Sequence, residues 1–137
     1  MDMKTVLKLS FIVAVILLSS CESKEKEVEK LKSETIAIHD EVMPKMDDIM
    51  KLKKALKSKQ DSTNNVNSDQ VQEMILALEE SDKAMMNWMR NYDPRMEGMS
   101  DEEKITYLTD QKSSIEEVSK QMKSSISKAE SYLNHII

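Results

Sequence analysis

The sequence predicts an all-α protein, an antiparallel bundle of three long helices. Three observations carry this. Gly98 is the only glycine, and Pro44 and Pro94 are the only prolines, in 137 residues. Hairpins and sheets need turn residues that such a chain lacks. Apolar residues recur at three- and four-residue spacing over long stretches, the period of a helix buried on one side. The segments between those stretches are short, which folds consecutive helices back on one another.

The first helix is expected over about 24–59. Val28, Leu31, Thr35, Ile38, Val42, Ile49, Leu52 and Leu56 form one seam, and Ile36, His39, Met43, Met46 and Met50 form a second beside it. Two adjacent seams make the wide apolar face of a bundle helix with two neighbours. Pro44 removes a backbone donor and kinks this helix.

"QDSTNNVNSDQ" follows, rich in Ser, Asn and Asp. Those side chains compete for backbone groups, so the stretch reads as a loop, with Ser68 or Asp69 as the next cap. The second helix is expected over about 69–91, on a seam of Val71, Met74, Leu78, Met85, Trp88 and Tyr92 broadened by Ile75 and Met89. "NYDPRMEGMS" breaks it. "SDEE", Ser100–Glu103, is a capping box that opens a third helix over about 100–134. Ile105, Leu108, Ile115, Val118, Met122, Ile126, Ala129, Leu133 and Ile136 mark its core side.

If the first turn centres near residue 65, residue n of helix one faces about 130 − n of helix two. Met43 then lies opposite Met85–Met89, and His39 near Asn91. Helices one and three are longer than helix two. Either "NYDPRMEGMS" runs extended down the bundle, or the end of helix three overshoots the first turn.

Residues 1–20 do not belong to the bundle. Lys4 and Lys8 precede the apolar run Phe11–Leu18, which is far short of the ~20 residues of a membrane span and reads as a secretory leader. It ends in Leu18-Ser19-Ser20-Cys21, which resembles the lipobox of bacterial lipoproteins. The small residues admit the scissile bond to a narrow protease site, and the Cys thiol takes the diacylglycerol. Cys21 is the sole cysteine, so it has no partner for an intramolecular disulfide. The expected organisation is a cleaved lipoprotein signal peptide over 1–20, a lipidated N-terminus and short charged linker over 21–27, and the bundle domain over 28–137. The lipid makes the membrane the first partner, because two or more acyl chains hold a protein stably on a bilayer. Glu22 imitates the inner-membrane retention signal only weakly. A charged run after the lipid Cys, here "ESKEKEVEK", sends lipoproteins of some Gram-negative groups outward. The outer membrane is therefore favoured over the inner.

Removing residues 1–20 takes away Lys4, Lys8 and Asp2 and moves the formal net charge from −5 to −6. Both signs are interspersed, with no basic stripe for nucleic acid. A protein of the envelope remains as a possible partner.

Ten of the twelve methionines lie beyond residue 20. Thioether sulfur suits Cu(I), and His39-x3-Met43-x2-Met46 puts its donors on one helical side. His39, Met43, Met46, Met85, Met86, Trp88 and Met89 fall on one layer, the place expected for a ligand or partner. A copper or silver site would use His39, Met43, Met46 and Met89. Core packing explains the same residues, since helical spacing sends them inward and Met fills irregular volume beside Pro44 and Trp88. A pliable groove for a partner helix is the third alternative. His135 is too far along the bundle to complete a two-His site.

No catalytic residues are expected. One glycine excludes Gly-rich phosphate loops, no G-x-S-x-G is present, and "HDE" at 39–41 lacks the i,i+4 His pair of zinc proteases. Asp47-Asp48, Glu79-Glu80 and Glu116-Glu117 read as solvated faces.

"IHDEVMPKM", Ile38–Met46, and "MMNWMRNYDP", Met85–Pro94, resemble small Gram-negative lipoproteins often labelled "viral A-type inclusion protein". The resemblance covers most of the chain beyond Cys21 and is centred on these two motifs. It implies a helical, coiled-coil-like envelope protein, and it brings no activity, ligand or catalytic residue with it.

Overall fold

A computed structural model describes residues 3–62 and 68–135, with the side chains of 23–61 and 68–135. The chain order is α1 (Met3–Val42), α2 (Lys45–Ser62), α3 (Ser68–Asn91) and α4 (Asp101–His135). Helix one of the sequence is thus two helices. Met43 still donates its amide to the His39 carbonyl at 2.8 Å, but Pro44 has no amide to give, and the chain resumes with short turns from Met46 to Met43 and from Asp47 to Pro44. The proline therefore breaks the helix rather than only bending it. The 21–27 segment, expected as a linker, is helical within α1, and Lys24 already pairs with Glu102 of α4.

α1 and α2 act as one column, α3 returns antiparallel to it, and α4 runs parallel to the first. Three ion pairs fix that last relation in ascending order on both helices: Lys24–Glu102, Glu34–Lys112 at 2.8 Å and Glu41–Lys123 at 2.6 Å. Hydrogen bonds from Lys112, Lys123 and Lys24 hold the Glu34, Glu41 and Glu102 carboxyls below the ordinary carboxylate range. A lowered carboxylate favours the fold above its unfolded value, and that contribution fades as pH falls through the folded one.

Lys53 meets Glu79 at 3.0 Å and His39 stacks on Trp88. The column and α3 therefore pair with a midpoint near residue 65, and residues 63–67 between them lie outside the described residues. Val42, Ile49, Leu56, Val71, Ile75, Leu78, Met85, Trp88, Ile115, Val118, Met122, Ile126 and Ala129 make one core. The Ser81 and Ser125 hydroxyls meet across that core at 2.9 Å, where one donates to the other and the accepting hydroxyl donates to a carbonyl of its own helix. The pair thus leaves no polar atom stranded.

α4 begins lower than α3 ends. The Asp93 amide donates to the Tyr107 hydroxyl at 2.6 Å, six residues inside α4. Residues 92–100 therefore descend along the bundle, as the first of the two sequence alternatives has it, but through bends and a turn in which the Met99 amide donates to the Met96 carbonyl at 3.3 Å, not as extended chain. Met96 is 4 % exposed and borders a cavity with Val28 of α1 and Lys104 of α4. The loop carries a methionine into the place a third helix would fill. Met96 adopts φ 50° and Gly98 φ 80°, the left-handed region that disfavours a Cβ. Ser100 and Glu103 close the capping box reciprocally, at 2.7 and 3.4 Å.

A Cβ on Gly98 would meet nothing within 4 Å, so Gly98→Ala tests backbone strain alone. The substitution is expected to lower stability by about 1 kcal/mol, read by urea denaturation. A neutral result would mean the loop relaxes freely. Among the described residues, no helix is long and apolar enough to cross a membrane.

Candidate functional site

The expected layer sits where the helix break faces the upper half of α3. Cys21 lies in α1, but its side chain is outside those described. His39 is the last basic residue of α1, and its Nδ1 lies 2.9 Å from Asp40 Oδ1. The imidazole stacks on the Trp88 indole with centroids 5.7 Å apart and planes at 28°. Trp88 stacks in turn on Tyr92 at 4.8 Å and 17°, and Tyr92 faces Tyr107 at 6.3 Å and 20°. Four rings thus form a ladder along the bundle interior, His39 from α1, Trp88 from α3, Tyr92 from the residue just beyond α3 and Tyr107 from α4. Helical spacing explains three of its rungs, since the Tyr92 amide still donates to the Trp88 carbonyl at 2.9 Å and keeps the pair at i,i+4, and His39 meets them across the antiparallel register. Trp88 Nε1 donates to the Gln111 carbonyl of α4 at 3.3 Å.

The methionines do not share one environment. Met85 is fully buried, whereas Met43 is 37 % and Met86 40 % exposed. Met46 and Met89 are half-buried against the core. The second seam of the sequence is therefore a core seam only in part, and Met50, at 67 % exposed, stands outside it. Its position follows from one step of the helix, because Ile49, seven residues after Val42, takes the buried place and Met50 stands about 100° round from it. Among the described residues, no group of three or more His, Cys, Asp or Glu is arranged to hold a metal ion.

Two clefts among the described residues lie away from the layer. One of about 570 Å³ opens between α3 and α4 near Gln70, Met74, Tyr132 and His135. Another of about 750 Å³ opens between residues 25–32 of α1 and the 92–100 loop. Sequence reasoning missed Tyr107, Gln111 and Met96. Tyr107 carries no signal in a one-helix periodicity, since it becomes a rung only because the loop drops α4 below the end of α3.

Tyr92 Oη is the one buried side-chain polar atom without a hydrogen-bond partner among the described residues. Burial, then the neighbouring Tyr107 and Asp93, push its pKa up. An acid whose folded value is raised stabilises the fold below its unfolded value, and the contribution is lost as pH climbs from about 10 through the folded value. Tyr92→Phe removes an unpaired hydroxyl and keeps the ring. It is expected to leave stability unchanged or raise it by up to about 1 kcal/mol at neutral pH. It should also flatten the alkaline decline in urea-denaturation midpoints. Destabilisation at neutral pH would mean that the hydroxyl is bonded in solution.

No family model, no curated protein and no solved structure matches this chain.

Proposed function

We propose that the protein is a lipid-anchored helical module of the cell envelope, held in the membrane through Cys21, with the outer membrane favoured over the inner. It would act as a binding or structural element rather than as an enzyme, like the small Gram-negative lipoproteins its two motifs resemble. The observation that carries this is Leu18-Ser19-Ser20-Cys21 at the end of a short apolar run, with Cys21 the sole cysteine. The bundle supports it in a simple way. The helix that starts at the anchor is docked on α4 by Lys24 onward, so the tether passes directly into a rigid body. The test is mass spectrometry and palmitate labelling of the chain expressed in a Gram-negative host. The wild type is expected to lack residues 1–20, to carry acyl mass on Cys21 and to sediment with the outer membrane. Cys21→Ser should keep the leader and take no label. A wild-type chain with its leader intact would overturn the proposal.

A second reading, a Cu(I)/Ag(I) binder using His39, Met43, Met46 and Met89, is favoured by one observation. Met43 keeps a third of its surface open within one helical turn of His39, so a soft ion could reach the thioether without unfolding the core. Metal that binds the fold raises its melting temperature. An unchanged melting curve in excess Cu(I) under reducing conditions would dispose of it.

A further inference from the structure

We infer that the side of the bundle shared by α2 and α3 docks on an anionic bilayer surface. The inference deepens the envelope proposal and rests on it. The large hydrophobic side chains that stand exposed among the described residues are Met43, Met50, Leu76 and Met86. One lies in the helix break, one on α2 and two on α3. The described parts of α1 and α4 expose none. The Lys53–Glu79 bridge marks the edge where α2 and α3 meet. Met50 stands three residues before Lys53, Leu76 three before Glu79 and Met86 seven after it, so all three share that side of their helices. In a three-helix triangle this side points away from α4.

The charge on it is set against that of the chain. The net charge is −5, yet Met50 to Gln60 holds five lysines and no acid. Lys51, Lys54, Lys57 and, on α3, Lys83 make no ion pair among the described residues. Arg90, four residues after Met86, adds a fifth cation unpaired among the described residues; Asp47, Asp61, Glu80 and Asp82 lie on or beside the same side, Asp82 three residues after Glu79, so five cations stand against four acids and the excess is one positive charge. Anionic headgroups attract such lysines.

The shape favours a bilayer over a partner helix. The trough around Met50 is about 290 Å³ and is walled by Met50, Lys53, Lys54 and Lys57, all from α2. A docking helix needs a groove between elements to receive its apolar ridge. Here the trough lies on the outer side of α2 alone, and the Lys53–Glu79 bridge closes the seam between α2 and α3 where such a ridge would seat. A membrane interface instead accepts single apolar side chains, with lysine stems laid beside them and the ammonium groups at phosphate level. Met50 lies 29 residues beyond Cys21, about 40 Å along the helix. Docking therefore lays the bundle along the membrane instead of standing it upright.

The test uses the processed full chain with Met50→Cys labelled by an environment-sensitive fluorophore, Cys21 being blocked by its lipid. Ser113→Cys on the exposed side of α4 serves as the control position. Vesicles of phosphatidylcholine alone are compared with vesicles that also contain phosphatidylglycerol. The expected result is a blue shift at position 50 with the anionic vesicles, reversed by salt and absent at position 113. Lys51→Gln, Lys54→Gln and Lys57→Gln together should abolish the shift with unchanged circular dichroism. Equal shifts with both vesicle types, equal shifts at both positions, or a shift that appears only after envelope protein is added would each overturn the inference. The last would assign the surface to a protein partner. Mass spectrometry of the same sample reads the acyl chains on Cys21, so an unlipidated chain and a surface that fails to dock are separate results.

Discussion

Leu78→Ala is expected to lower the stability of the bundle by about 2–5 kcal/mol. Leu78 is fully buried at the middle of α3, the helix that packs on both other columns. Truncation removes the transfer free energy of the lost carbons and leaves a cavity, and this site has little means of collapsing into it. Ser81 lies one turn away, held at 2.8 Å to the Ala77 carbonyl and at 2.9 Å to Ser125. Inward movement of α3 would break that crossing. The estimate therefore sits toward the upper half of its range. A small domain has roughly 5–15 kcal/mol in total, so a drop in melting temperature on the order of 10–20 °C should follow. Urea denaturation followed by Trp88 fluorescence and by far-ultraviolet circular dichroism checks it. A loss under about 1 kcal/mol would mean the core repacks around the gap, and the register drawn for α3 would be in doubt. Leu76→Ala is the matched control: same residue type, same helix, exposed, with an effect expected within about 0.5 kcal/mol.

Much of this architecture was legible because helical periodicity is a local property. Val71, Leu78, Met85 and Trp88 announce the buried side of α3 by spacing alone, and all four are in the core. Leu108, Ile115, Val118, Met122, Ile126 and Ala129 do the same for α4. The pairing of the column with α3 could be drawn because the polar stretch "QDSTNNVNSDQ" puts its midpoint near residue 65. Periodicity fails at the margin of a buried side. Val42, Ile49 and Leu56 keep seven-residue spacing across Pro44 and are all buried, whereas Met43 and Met50, each one residue further on, are turned outward by about 100° and stand exposed. The 92–100 loop defeats it in another way. Met96 belongs to no periodic stretch, and it is buried only because the loop runs down the bundle after α3 has ended. For the candidate layer, residue types and approximate level were readable, but orientation was not. A one-residue step on a helix turns a side chain by about 100°, and that turn separates buried Met85 from exposed Met86.

Trp88→Ala is expected to cost about 3–5 kcal/mol, and the reason lies in where the indole stands. It is 6 % exposed and is the central contact between the two ends of the ring ladder, His39 above it and Tyr92 below. Aromatic pairs of this kind add roughly 0.5–1.5 kcal/mol each beyond area burial, so truncation removes two such terms together with the largest side chain of the core. The Nε1–Gln111 hydrogen bond is the smaller part. Its acceptor is a main-chain carbonyl in the middle of α4 with a second lone pair already engaged in the helix, so losing the indole donor leaves it satisfied. Trp88→Phe separates these contributions. It keeps a ring between His39 and Tyr92 and discards only the donor and part of the volume, and it should cost less than half as much as alanine. Chemical denaturation followed by circular dichroism measures both variants, since Trp88 is the only tryptophan and its fluorescence is lost with it. Equal costs for phenylalanine and alanine would place the energy in the hydrogen bond and not in the stack. In that case His39 would be an incidental neighbour, and the level at which α1 meets α3 would be set by the aliphatic core alone.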